Sequence, residues 1–189
     1  VKRFFDSVDQ EVLLTILSRR IKDKTTLNLL KEIIYSFSSV SGGWIGMPIG
    51  NLTSQIFANI YLNELDRFVK HNLGVGAYLR YGDDFIIIEH DLRKLELYRA
   101  HTVDFLRNEL KLEVNSKSDK ILKAAHGLKF LGVKLWPSGR TLTRRNLSRA
   151  CERLAPNNVS SYSGLIKQHG NKKEIKGFYW LVYEKLFIE

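Results

Sequence analysis

Apolar positions along this chain recur with two different periods, and the switches between them mark out its elements. In residues 77–88 two β-prone runs flank Gly82-Asp83-Asp84, a pattern that predicts a β-hairpin with adjacent carboxylates at its tip and strands buried in a sheet. Residues 1–5 read as the end of another strand. Ser7-Val8-Asp9-Gln10 then has the form of a capping box, and Val12, Leu13, Ile16, Leu17 and Ile21 follow at helical spacing. A second helix is expected from near Thr26, with Leu27, Leu30, Ile33, Ile34 and Phe37 on its inner face. Residues 38–43 have the composition of a flexible loop.

That loop delivers the chain to residues 46–55, where Gly46 and Gly50 flank Pro48 and let the backbone approach a ligand closely. Thr53 or Ser54 can cap the next helix, which carries Ile56, Ile60, Leu62 and Leu65 inward and runs to about His71. An ordinary loop-to-helix junction would use the same residue types. Beyond the hairpin, Leu92, Leu95, Tyr98, Val103, Leu106 and Leu110 outline an amphipathic helix capped by Asp91. Residues 128–136, a turn at 137–140 and residues 141–143 predict a second hairpin. Arg144, Arg145, Arg149 and Arg153 then share a helix with Leu147, Ala150 and Leu154, so the charges separate from the core face.

Composition narrows the class. A chain of 189 residues with 44% apolar and 26% charged residues suits one good-sized core, or a core plus a small module. No apolar run approaches the roughly 20 residues that span a bilayer, and the opening residues do not read as a signal peptide. The single cysteine, Cys151, cannot form an internal disulfide, which fits a reducing cytoplasm. The net charge of +10 is segregated: residues 1–116 hold 15 Lys/Arg against 15 Asp/Glu, and residues 117–189 hold 15 against 5. A basic surface continued by Lys167, His169, Lys172, Lys173 and Lys176 suits a polyanion such as nucleic acid, because neutralising phosphates releases counterions. Tyr162, Tyr179 and Trp180 could stack on bases, with core packing the commoner fate of such rings.

Neighbouring aspartates repel and need compensating charge. Hard Mg²⁺ takes one or two carboxylates and fills its other positions with water and phosphate oxygens. Read from the hairpin alone, Asp83 and Asp84 fit such a site and an ordinary Asp-rich turn equally well.

The company they keep is more specific. Tyr81-Gly82-Asp83-Asp84 resembles the Tyr-x-Asp-Asp box of reverse transcriptases. In the order of that family's palm motifs, residues 1–9 resemble the first motif, residues 46–55 the second, residues 115–120 the fourth, and Phe130-Leu131-Gly132 the primer-grip turn. The resemblance spans roughly the whole chain and implies an α+β right-hand polymerase. Residues 1–136 would be the palm, an antiparallel sheet backed by helices, and residues 137–189 a mainly helical basic thumb, with the fingers largely outside this chain.

It also implies roles. Asp83 would ligate metal directly, Asp84 would add charge and partial ligation, and the Val1 main-chain carbonyl would touch the nucleotide-side metal, two Mg²⁺ ions in all with Mn²⁺ able to substitute. In the family the first-motif aspartate directly precedes the residue matching Val1, so the chain as given should bind catalytic metal poorly. Asp6 and Asp9 match downstream capping or structural positions. Phe5 matches the residue under the incoming sugar, where a bulky ring excludes a 2′-hydroxyl, while Phe4 beside it points into the core. Ile49, Gly50 and Gln55 would line the nucleotide. Lys117, with Lys120 second, would protonate the pyrophosphate leaving group. Arg144, Arg145, Arg149, Lys167, Lys172 and Lys173 would hold duplex phosphates without reading sequence.

The spelling of the second motif is finer evidence. Most reverse transcriptases have Gln-Gly-x-x-x-Ser-Pro there, whereas Ile49-Gly50-Asn51-Leu52-Thr53-Ser54-Gln55 resembles the enzymes of diversity-generating retroelements. That likeness implies a template RNA, deoxynucleoside triphosphates, a basic accessory protein and a prokaryotic or phage-encoded cytoplasmic enzyme. The rival readings are a group II intron, retron or abortive-infection reverse transcriptase, a viral-type RNA polymerase suggested by the Gly-Asp-Asp spelling, and a noncatalytic RNA-binding relative.

Overall fold

The structure, a computed structural model, describes residues 1–37 and 43–187. It is an α+β chain that divides into two compact units, Val1–Ile121 and Leu122–Glu189. Most of the loop expected at 38–43 lies outside the described residues. Among the described residues no helix is long and apolar enough to cross a membrane.

In the first unit, residues 1–5 do not form the expected strand. Val1 and Lys2 belong to no strand, and Arg3 takes a left-handed conformation (φ 45°) that turns the chain into the short helix α1 (Phe4–Ser7). Ser7 therefore ends a helix. The cap of α2 (Gln10–Arg20) is Asp9, whose carboxylate accepts from the amides of Glu11 at 2.9 Å and Val12 at 3.0 Å. Helix α3 (Lys24–Tyr35) starts two residues before the expected Thr26, because Asp23 caps it by accepting the Thr26 amide at 2.6 Å.

Helix α4 (Leu52–Arg67) passes into one π-type turn at Phe68–Asn72, close to the expected end. Its cap position is Asn51, ahead of the expected Thr53 or Ser54. Its buried stripe is Phe57, Tyr61, Leu65 and Val69, with Leu62 beside it. Ile56, expected inside, is 51% exposed. The stripe turns on Tyr61, whose ring is fully buried and whose hydroxyl donates to the Leu110 carbonyl at 2.7 Å. Burial pushes that phenol's pKa above its ordinary range.

The hairpin forms as expected: β1 (Ala77–Tyr81) pairs antiparallel with β2 (Asp84–Ile88), Tyr81 opposite Asp84. Its strands are not buried on both faces. Tyr78, Phe85 and Ile87 pack on the core, while Leu79, Tyr81 and Ile88 on the opposite face are more than half exposed. Helix α5 (Leu92–Asn108) is capped by Asp91, as its sequence indicates. It buries Thr102 and Leu106 and stacks Phe105 on Phe68, with ring centroids 4.2 Å apart, but leaves Leu92 57% exposed.

In the second unit, a short 3₁₀ turn (Ala124–His126) leads into a three-stranded antiparallel sheet of β3 (Leu128–Phe130), β4 (Val133–Trp136) and β5 (Gly139–Leu142). The run 128–136, expected as one strand, is thus two. Leu131 and Gly132 both have positive φ (49° and 81°), the geometry of a two-residue I′ hairpin turn. The turn is held from outside: Thr143 Oγ1 and Asn146 Nδ2 donate to the Gly132 carbonyl at 3.1 and 2.9 Å. Helices α6 (Arg144–Glu152), α7 (Val159–His169) and α8 (Lys172–Phe187) enclose a core of Leu142, Ala150, Leu154, Ile166 and Phe178. Tyr162 packs against it, but Tyr179 and Trp180 are exposed because Phe178 takes the inward position.

Candidate active site

The hairpin tip sets the site. Gly82 and Asp83 are the turn residues, and Gly82 at φ +59° adopts the conformation for which glycine is favoured. Strand alternation sends Phe85 inward and Asp84 outward, so the sequence Asp84-Phe85 separates a solvent-facing carboxylate from a core anchor. Asp83 stands at the turn with its side chain 38% exposed.

The start of the chain lies against this turn. The Val1 nitrogen donates to the Asp83 carbonyl at 3.0 Å and lies 3.7 Å from Asp83 Oδ2. One residue on, the Lys2 amide donates to the Glu113 carbonyl at 2.9 Å, and Lys2 Nζ reaches Glu113 Oε2 at the same distance. Val1 and Lys2 are thereby pinned between the aspartate turn and the segment that leads to Lys117.

The second motif is tied to the first by main-chain bonds. The amides of Met47 and Gly46 donate to the carbonyls of Phe5 and Val8, each at 2.7 Å, and Gln10 donates its amide to Trp44 at 3.0 Å. Gln10 is wholly buried, and its side-chain Nε2 donates to the carbonyls of Gly46 at 2.9 Å and Phe37 at 2.5 Å. Phe5 is half-buried and meets Phe4 edge-on at 5.3 Å, with Phe4 itself in the core. Downstream, Ile49 is 76% exposed, Gly50 has φ +96°, and Gln55 faces solvent on the first turn of α4.

Lys117 is exposed on a turn built by Asn115, whose side chain accepts the Lys117 amide at 3.1 Å and whose carbonyl accepts from Ser118 and Asp119. A two-bonded pair, Arg99 to Asp119 at 2.7 Å for each contact, ties this turn to α5. Lys120 is exposed too. In the second unit Phe130, Leu131 and Gly132 form the β3–β4 turn, and Arg144, Arg145, Arg149, Lys167, Lys172 and Lys173 are exposed on its helices.

Sequence reasoning missed two features. Gln10 reads as an ordinary helix residue, and no local pattern shows that it is buried against Phe37 and Gly46 of the α3–α4 connection. Asp66 and Arg80 pair across the end of α4 and β1, with contacts of 2.6 and 2.7 Å. An arginine in an apolar strand was the available signal.

As a metal site the tip fits in its donor chemistry: two adjacent, accessible carboxylates are the hard oxygen ligands that Mg²⁺ takes, with room for water and phosphate. Among the described residues, no group of three His, Cys, Asp or Glu side chains comes together to complete a cage. Asp83 and Asp84 would hold an ion that takes further ligands from elsewhere.

Comparison with known proteins decides the family. The profile of reverse transcriptase (RNA-dependent DNA polymerase) matches residues 1–135. The chain belongs to that family. It is 27% identical over 171 residues to protein YkfC of Escherichia coli (strain K12), covering 70% of this chain and 44% of YkfC. The group II intron-encoded protein LtrA of Lactococcus lactis subsp. cremoris is 23% identical over 235 residues, covering 82% of this chain and 38% of LtrA. A 91 kDa protein in the cob intron of Schizosaccharomyces pombe is 32% identical over 75 residues, 38% of this chain and 9% of that protein. This reverse-transcriptase chain therefore spans less than half the length of these relatives.

Proposed function

We propose that the protein containing this chain is an RNA-directed DNA polymerase in which residues 1–136 serve as palm and residues 137–189 as thumb. The observation that carries this reading is the placement of the Val1 nitrogen 3.7 Å from the Asp83 carboxylate. It puts the first motif and the aspartate box at one point, and any residue joined to Val1 would attach there. Asp83 and Asp84 would hold Mg²⁺, which when bound supplies charge neutralisation for the attacking and leaving oxygens. The primer 3′-hydroxyl gives its proton to solvent as its oxygen attacks the α-phosphorus of a deoxynucleotide, and pyrophosphate leaves as the bond to it breaks. Lys117 hands a proton to that leaving group. The basic faces of α6 and α7 and the start of α8 supply phosphate contacts, and the exposed Trp180 offers a stacking face.

Phe5 is the sugar gate of this site, half-buried and held by its carbonyl to Met47. Primer extension by the full-length protein on poly(rA)/oligo(dT) tests both points. The expected result is incorporation of dTTP and not UTP, with Phe5→Ala admitting UTP. Incorporation of UTP by the unaltered protein would favour an RNA polymerase, and tight binding with no extension would favour a noncatalytic RNA-binding relative.

We place the enzyme more finely among those of diversity-generating retroelements, with a template RNA and a basic accessory protein as partners. The support is the apolar Ile49, largely exposed beside Gly50, at the position that matches the glutamine of most reverse transcriptases. A glutamine can hydrogen-bond near the nascent pair, while isoleucine offers apolar contact alone and discriminates less. Ile49→Gln is expected to lower misincorporation opposite adenine, read by sequencing the cDNA; an unaltered error spectrum would refute this placement. The likeness to LtrA, named as a group II intron-encoded protein, supports a second reading as an intron enzyme.

A further inference from the structure

The aspartate turn has a third support besides its strand pairing and Val1. Arg80 lies on β1 one residue before Tyr81, and its side chain is only 12% exposed. Its Nε donates to Asp66 Oδ1 at 2.7 Å and its Nη2 to Asp66 Oδ2 at 2.6 Å, a two-pronged pair. The remaining terminal nitrogen, Nη1, donates to the Gly82 carbonyl at 2.9 Å. Tyr78, two residues back on the same face, donates its hydroxyl to Asp66 Oδ1 at 2.8 Å. A guanidinium is planar and rigid, so fixing two of its N–H groups on a carboxylate also fixes the direction of the third. That third group grips the carbonyl of the residue directly before Asp83.

The anchor matters as much as the grip. Asp66 sits in the last turn of α4, and α4 starts two residues after Gly50 and carries Gln55 in its first turn. One helix thus has the proposed nucleotide motif at one end and the hold on the aspartate turn at the other. Hydrogen bonding to Asp66 raises the Arg80 pKa against the opposing effect of burial. Burial and the bond to Asp66 together push the Tyr78 phenol far above its ordinary range, so it stays a donor.

We propose that Arg80 and Asp66 are positioning residues that fix the Gly82-Asp83 turn relative to α4, and so fix where the two carboxylates present their oxygens. The inference rests on Asp83 and Asp84 holding a divalent ion, as proposed above. Residues that orient metal ligands typically contribute about 10- to 100-fold to metal affinity.

A field effect and a positioning effect predict different signs. Removing Arg80 takes a cation away from the carboxylates and, by charge alone, should tighten Mn²⁺ binding. Asp66→Asn strands the arginine charge and should weaken it. Positioning predicts that both substitutions weaken it.

The test uses the full-length protein with Arg80→Ala, Asp66→Asn and their combination, with Arg19→Ala on the exposed Arg19–Glu64 pair as control. The measurements are Mn²⁺ affinity by electron paramagnetic resonance, hydrogen exchange at the amides of residues 82–85, and thermal melting. Both single variants are expected to weaken Mn²⁺ binding about tenfold and to speed exchange at the turn, with the double variant no worse than the weaker single. Arg80→Lys, which folds with its charge but lacks the fork, should lie between. Opposite signs for the two singles, or turn exchange like that of the control, would overturn the proposal. If the unaltered protein binds no Mn²⁺ or Asp83→Asn binds it equally well, the metal reading fails instead, and exchange at the turn alone still decides whether the brace exists.

Discussion

Asp83→Asn in the full-length protein is expected to reduce primer extension about 100- to 1,000-fold, the scale at which enzymes lose rate when one preorganised electrostatic group is removed. The substitution is nearly isosteric. It keeps the main-chain bond between the Asp83 carbonyl and the Val1 nitrogen, and it removes the charge that lies 3.7 Å from that nitrogen. Folding should hardly notice, because the side chain is partly exposed and loses a like-charged neighbour in Asp84. A stability change of no more than about 1 kcal/mol is expected, the usual worth of a partly exposed charge pair. The loss should therefore fall on turnover and on metal affinity together while the melting curve stays in place. Asp84→Asn should show the same pattern with a smaller drop, since the expected role of Asp84 is charge and partial ligation. Extension at the unaltered rate by Asp83→Asn would remove the hairpin tip from the chemistry altogether.

The hairpin was legible in the sequence because its information is local. A Gly-Asp turn between β-prone runs specifies both the reversal and the register, and the register puts Tyr81 opposite Asp84. Asp91 was legible as a cap for the same reason. Errors arose where the deciding interaction lies far along the chain. Residues 1–5 have strand composition, yet the left-handed Arg3 turns them after Lys2, once the Val1 and Lys2 nitrogens have bonded to Asp83 and Glu113. Ile56 matched a helical stripe as well as Phe57 did, and the choice between them depends on Tyr61 finding the Leu110 carbonyl 49 residues away. Arg80 and Asp66 were invisible as a pair because neither strand nor helix periodicity reports a contact between elements. Local patterns thus located the carboxylates, and the structure supplied what holds them.

Phe178→Ala is expected to unfold residues 122–189 while leaving the hairpin unit folded. Truncating a buried phenylalanine typically costs about 3–5 kcal/mol. Among the described residues the second unit's buried core comprises Leu142, Ala150, Leu154, Ile166 and Phe178, of which Phe178 is the largest. Units of this size rarely gain more than about 3–5 kcal/mol from a single core, so the loss is comparable to everything that core supplies. The first unit has its own core, which includes Tyr61, Leu65 and Leu106. Hydrogen exchange on the full-length variant should show amides around Ile166 losing protection while those of residues 77–88 keep theirs. Mn²⁺ binding at Asp83 should persist, and affinity for a primer-template duplex should fall steeply, because Arg144, Arg145, Arg149, Lys167, Lys172 and Lys173 would no longer share a folded surface. Trp180→Ala, which removes an exposed ring from the same helix, separates the two causes: it should leave exchange unchanged and weaken binding by a stacking contact of about 1–3 kcal/mol. If Phe178→Ala instead keeps full duplex affinity, the basic surface of this unit does not hold the nucleic acid, and the thumb reading of residues 137–189 falls.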